Sequence, residues 1–218
     1  MAKKDKKAET KDNRKKPVKF APVPVKRKLK VDPGEPAEVV SSKVAYDGPL
    51  FRVQTDELRE PTGKNVVRDV IRHNGSVVIL ALDRRKNKKD PLVLIERQFR
   101  HAAKQYLYEV PAGKMEEGEE HLAAAQRELE EETGYRAKTW TKMLRYFASP
   151  GFLGEWMQVF LAEDLTLGEA RPEEDESFEL QFVPLSEMLR LIDAGKIRDG
   201  KTIISVLYYA RMQGRKKK

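Results

Sequence analysis

The densest chemistry in the chain is a run of carboxylates. From Glu116 to Glu132 it carries Glu116, Glu117, Glu119, Glu120, Glu128, Glu130, Glu131 and Glu132, and the only Lys or Arg among them is Arg127. Carboxylates four apart on a helix repel by a few tenths of a kcal/mol per pair, so the segment is not assembled for helix stability. Hard divalent cations, which take carboxylate oxygens, are the usual compensation. A charge run alone is ordinarily a solvated face; the spacing is what argues for a site. The alanines, leucines and glutamates from Leu122 to Leu129 favour helix, and Gly134 stands where a C-terminal cap is expected. At about 100° per residue, Leu122, Ala125 and Leu129 form one apolar stripe that faces the core. Glu128 and Glu132 then lie one turn apart along its edge, with Glu131 further round. Arg127, four before Glu131, can pair with it.

Those side chains need a scaffold, and alternation with turn signals supplies one. Strands are expected over residues 37–45, 50–54, 66–73, 76–82, 92–97 and 106–110, the last delivering Pro111-Ala112-Gly113 just ahead of the acidic helix. Further strands fall over 139–149, 155–163 and 178–183, with Pro150-Gly151 as a turn, and helices over 184–192 and 202–212. Many strands with few helices make the fold class α+β. The first strands form a small antiparallel β subdomain over residues 35–64, too few to be stable alone, which must pack on the body, residues 65–213, or on a second chain. Residues 1–34 read as a disordered basic tail and residues 214–218 as a short basic tail. A second acidic cluster, Glu173-Glu174-Asp175-Glu176, sits in a loop ahead of a strand.

Composition excludes several classes. None of the 218 residues is cysteine, so disulfides, thiolate metal sites and cysteine nucleophiles are ruled out, which fits a cytoplasmic setting. The net charge of +8 is carried by the ends. Residues 1–30 hold eleven Lys and two Arg against three acids, the last four residues are all basic, and the body between is acidic at −6. The whole-chain pI is therefore no argument for nucleic acid; an anionic partner, nucleic acid or lipid, would have to engage residues 1–34. The longest apolar run in the body is Val77 to Leu82, far short of the ~20 residues of a membrane helix, and no apolar stretch of a secretory signal follows the N-terminal lysines.

Gly113, Glu119, Arg127-Glu128-Leu129, Glu131-Glu132 and Gly134-Tyr135 stand in the spacing of the Nudix box, which the segment resembles at every defining position. Seven of those positions demand one residue type, and at about 7% usage each, chance agreement is on the order of 10⁻⁸. The resemblance extends to the ADP-ribose pyrophosphatase subgroup through Arg97-Gln98-Phe99-Arg100, Tyr108-Glu109-Val110-Pro111-Ala112-Gly113, and Pro150, sixteen residues past Gly134 and flanked by Tyr146 and Glu155. It covers residues 37–213 and implies a mixed β-sheet sandwiched between helices, with the box as a loop–helix–loop.

The activity implied is Mg²⁺-dependent cleavage of a phosphoanhydride, with Mn²⁺ as substitute. The metal would take Glu128, Glu132, Glu131 and the carbonyl of Ala112, while Glu119 and Arg127 order the box. The catalytic base would be Glu176, then Glu174, or else a box glutamate such as Glu131. Arg100 would hold diphosphate oxygens, with Glu109 and Glu155 as further substrate contacts. Arg68 and Asp69 fall where the subgroup contacts adenine; an aromatic ring is usual at the position of Arg68, and Phe51 or Tyr46 of a partner subunit is an alternative stacking residue. The resemblance implies a homodimer whose N-terminal strands cross between protomers. The expected reaction is ADP-ribose to AMP and ribose 5-phosphate. GDP-mannose or another nucleotide sugar is the nearest rival. A non-catalytic module that binds nucleic acid through its tails is the rival of another class, and the intact Glu128, Glu131 and Glu132 argue against it.

Overall fold

A computed structural model of the chain describes residues 34–49, 51–168 and 179–215. The chain divides into two units, Met1–Glu35 and Pro36–Lys218, and the fold below is that of the second. The basic segment 1–33, the last three residues and the cluster Glu173 to Glu176 lie outside the described residues.

Three strands come first: β1 (Glu38–Asp47), β2 (Arg52–Arg59) and β3 (Asn65–Ile71) form an antiparallel sheet in that order. The sheet runs past Lys64, where the sequence suggested the subdomain would end, because Asn65 to Ile71 pairs with Val53 to Arg59 of β2. Val66 to Ile71 thus belongs to the N-terminal sheet rather than to the body. Strand β1 is exposed at every residue.

The second sheet is built around β4 (Ser76–Asp83), buried at all eight positions. It pairs in parallel with β9 (Trp156–Leu167) and antiparallel with β5 (Leu92–Arg100) and the three-residue β7 (Ala112–Lys114). Strand β8 (Tyr135–Phe147) flanks β9, while β6 (Gln105–Glu109) and β10 (Glu179–Pro184) flank β5. The unbroken apolar run Val77 to Leu82 follows from burial on both faces. Val77, Ile79 and Ala81 pack with α1 (His121–Thr133), whereas Val78, Leu80 and Leu82 pack with α2 (Leu185–Asp193) and α3 (Gly200–Arg215). The fold is α+β, a mixed sheet between helices, as expected. Helix α3 continues through Gly214 and Arg215, which the sequence suggested would lie in a C-terminal tail. Among the described residues, no helix is long and apolar enough to cross a membrane.

Candidate active site

Helix α1 is presented by two devices. Gly134 ends it in the left-handed conformation, φ 71°, donating its N–H to Glu130 O, a geometry that glycine adopts without Cβ strain. Its buried face is Ala124, Ala125, Leu129, Glu132 and Thr133. This corrects the apolar stripe read from sequence: Leu122, in the first turn, is 41% exposed and Ala124 takes the buried place. Two adjacent alanines let the helix lie close to β4, and that close approach carries Glu132 to the core boundary, where it is only 6% exposed.

The box is held by one guanidinium. Arg127 Nε and Nη2 donate to the two oxygens of Glu119, each at 3.0 Å. Its Nη1 donates to Glu128 Oε1 and Glu131 Oε2, each at 2.9 Å, so the pair expected from sequence forms, with two more acids added. Glu119 Oε2 in turn accepts from Glu116 N at 3.0 Å. Arg127 holds the Glu119 carboxyl below its ordinary range, burial opposing and the Glu116 N–H assisting. Glu119, first among three acids, holds the arginine charged against the cost of burial.

The preceding strand meets the helix edge-on. Ala112 N donates to Glu132 Oε2 at 3.1 Å. Gly113 faces Glu128, and a Cβ built there would fall on the Glu128 carboxylate. Only glycine lets that carboxylate lie against the strand, which is a physical reason for the first glycine of the box.

Two cavities meet here. One, of about 690 Å³, is lined by Glu116, Glu117, Arg127, Glu128, Glu131 and Glu132 with Ala112 to Met115, Asn74 and Arg100. The other, of about 450 Å³, is more apolar, lined by Phe51, Ile71, Leu153 and Met157 with His73, Ser76, Glu155 and Lys201. They share Arg100, Ala112, Gly113 and Lys114, so the two form one cleft with an acidic half and an apolar half. In the apolar half, Ser76 Oγ donates to Glu155 Oε1 at 2.6 Å, and His73 Nε2 lies 3.8 Å from the same oxygen. Gly75 N donates to His73 Nδ1 at 3.0 Å, which leaves Nε2 as the protonated nitrogen of the neutral ring.

Glu128, Glu131, Glu132, Ala112, Arg127, Arg100 and Glu155 are thus brought to one cleft. Glu109 is not at its surface: it is 1% exposed, and its oxygens accept from Arg100 Nε at 2.9 Å and Nη2 at 2.8 Å and from Lys201 Nζ. Burial raises the Glu109 carboxyl, but Arg100 and Lys201 outweigh it and hold the group below its ordinary range. Arg68 and Asp69 stay on the three-stranded sheet. Arg68 lines a separate groove with Arg72 and Pro150 to Gly154, and exposed Asp69 accepts from Thr55 Oγ1 at 2.6 Å. Glu174 and Glu176 fall outside the described residues. Phe51, weighed as a residue of a partner's site, lines the cleft of its own chain. His73 and Lys201 carried no signal in the sequence: a lone histidine has no motif, and the acid partner of Lys201 is 92 positions away.

The donor set suits a hard divalent cation, with three carboxylates and the strand bearing the Ala112 carbonyl around one cavity. Among the described residues no three acids already converge on a single point; Glu128 and Glu131 bond Arg127, and Glu132 bonds Ala112 N.

Residues 72–205 match the family model described as NUDIX domain. The chain belongs to the Nudix family. It is a hydrolase acting on phosphoanhydride bonds. It is similar to the ADP-ribose pyrophosphatase of Bacillus subtilis (strain 168), 36% identical over 173 residues, 78% of this chain and 91% of the relative. It is similar also to the methanol dehydrogenase activator of Bacillus methanolicus, 32% identical over 183 residues, 83% and 96% of the two chains. The fold is shared with a crystal structure of an ADP compounds hydrolase, at TM-score 0.72 and 20% identity, covering 83% of this chain and 96% of that one.

Proposed function

We propose that the enzyme hydrolyses ADP-ribose to AMP and ribose 5-phosphate with Mg²⁺, Mn²⁺ serving as substitute. The observation that carries this reading is the division of one cleft, carboxylates in one half and an apolar chamber in the other, with Arg100 between them. A diphosphate with a base and a sugar at its ends needs that sequence of environments.

Glu128, Glu131, Glu132 and the Ala112 carbonyl hold the metal. When bound, it offsets phosphate charge and acidifies a water. Arg127 fixes where the carboxylates stand, and Arg100 binds and orients diphosphate oxygens, for which a planar guanidinium is suited. Glu155 and His73 offer an acceptor and a donor to sugar hydroxyls. A general base takes the proton of the attacking water as the phosphorus–oxygen bond to the leaving group breaks. On the family resemblance that base is Glu176, then Glu174, with Glu131 as the alternative within the box.

The reading includes a homodimer. β1 is an edge strand exposed along its length, and Val39, Val40, Val44 and Tyr46 are each about half exposed; such an edge calls for a partner. In a dimer, Arg68 and Asp69 serve the partner's base site. Nucleotide sugars such as GDP-mannose are the competing substrates, favoured by the absence of an aromatic residue at Arg68. A panel of ADP-ribose, GDP-mannose and ADP-glucose with Mg²⁺, products resolved by chromatography, tests the reading. ADP-ribose giving AMP at the highest kcat/KM supports it; a higher value for GDP-mannose replaces the substrate; no turnover of any contradicts it.

A further inference from the structure

Four residues at the start of α3, Asp199-Gly200-Lys201-Thr202, bring Lys201 to the apolar half of the cleft and bond the chain just ahead of Ala112. Asp199 caps the helix: its Oδ2 accepts from Thr202 N at 2.9 Å and from Thr202 Oγ1 at 2.6 Å. The same Thr202 Oγ1 accepts from Val110 N at 2.9 Å, which fixes the link from β6 to Ala112. Lys201 lies beside the cap, 9% exposed; its Nζ pairs with Glu109 Oε2 and lies 3.3 Å from Asp199 Oδ1.

The charges decide what Lys201 does. Arg100 spends Nε and one Nη2 hydrogen on Glu109. A guanidinium has five N–H donors, so an edge made of Nη1 and the second Nη2 hydrogen is left, and Arg100 lines both halves of the cleft. With Glu109 alone, however, Arg100 forms a neutral pair that attracts a diphosphate weakly. Lys201 adds a second cation to the same buried carboxylate. Asp199, at the positive end of α3, lies beside Lys201 as a second acid. The Arg100–Glu109–Lys201 group itself thus sums to one positive charge, while the carboxylates of Glu96 and Asp199 also act on Arg100.

We propose that Lys201 is a positioning residue for the diphosphate: by sharing Glu109 it holds that carboxylate, and with it Arg100, so that the free edge of the guanidinium is fixed toward the cleft. The proposal rests on the reading of the cleft as a diphosphate site, and its test is separable from the substrate panel. The probe is inorganic pyrophosphate, titrated calorimetrically in Mg²⁺ buffer into the full-length protein. Lys201→Met weakens binding ~10-fold, equivalent to about 1.4 kcal/mol, and Lys201→Arg recovers most of it. In an Arg100→Ala background, Lys201→Met costs less than about 2-fold, because two residues acting as one unit do not add. In turnover the same variant raises KM with kcat nearly kept. Equal losses in both backgrounds overturn the proposal, since Lys201 would then touch the ligand itself. Failure of Lys201→Arg to recover binding overturns it too, as does absence of pyrophosphate binding by the unsubstituted protein, whatever substrate it cleaves. If Lys201→Met does not fold, Lys201→Gln keeps a hydrogen bond to Glu109 without the charge and takes its place in each comparison.

Discussion

Helix α1 and strand β1 both carry features that a lone element would not tolerate, yet only the helix is stabilised within its own chain. Like charges crowd α1, and Arg127 answers three of them while Glu132 is engaged by the backbone of Ala112. Apolar side chains line β1, and Val39, Val40, Val44 and Tyr46 remain about half exposed. The first region is completed by intrachain bonds. The second is completed by pairing on one edge only, which is why it is read as the dimer surface. Charge is cancelled locally by one well-placed guanidinium; apolar area is removed from water only by a second surface.

The sharpest way to break the helix side is Gly113→Ala. The added methyl falls on the Glu128 carboxylate, and displacement of such a group by about 1 Å can cost ~10²-fold; kcat/KM should fall by that much with the fold retained by circular dichroism. Arg127→Met comes next. It leaves Glu119, Glu128 and Glu131 without their shared donor, so kcat should fall ~10-fold or more, and stability by ~1–3 kcal/mol in urea titration. On the sheet side, Val40→Glu with Val44→Glu puts charges on the exposed strand. The pair should turn a dimer into a monomer in sedimentation velocity and cost little stability in the monomer, where both sites are solvated. A monomeric unsubstituted protein would remove the contrast between the two regions.

The smallest expected effect is on acid stability. The folded carboxyl of Glu119 lies below its unfolded value of about 4.5. A depressed carboxyl contributes stability in full above that unfolded value, and the contribution disappears as pH falls through the folded value. Thermal melts of the unsubstituted protein should therefore drop in this range, and Arg127→Met should show a shallower decline.

Much of this was legible from local patterns. The run Val77 to Leu82 marked a strand, which the structure places at the centre of the sheet with both faces buried, and Gly134 marked the helix end because its backbone turns left-handed there. The box spacing named Glu128, Glu131, Glu132 and Arg127. Long-range partners were illegible. Ser76 meets Glu155 79 positions on, and Glu109 meets Lys201 after 92, distances that leave no periodic trace. Strand β7 is three residues long and follows a proline, so neither length nor alternation announced it. Leu122 had the right spacing but the wrong neighbours: in the first turn it escapes the packing that Ala124 receives.

The central claim is that the glutamates of one helix, set against the Ala112–Gly113 strand, hold a divalent ion. Calorimetric titration of Mn²⁺ into the unsubstituted protein and into Glu128→Gln/Glu132→Gln tests it directly. Binding should weaken at least ~10²-fold in the double variant, in line with losses at disrupted metal sites. Equal Mn²⁺ affinity in the two proteins would contradict it.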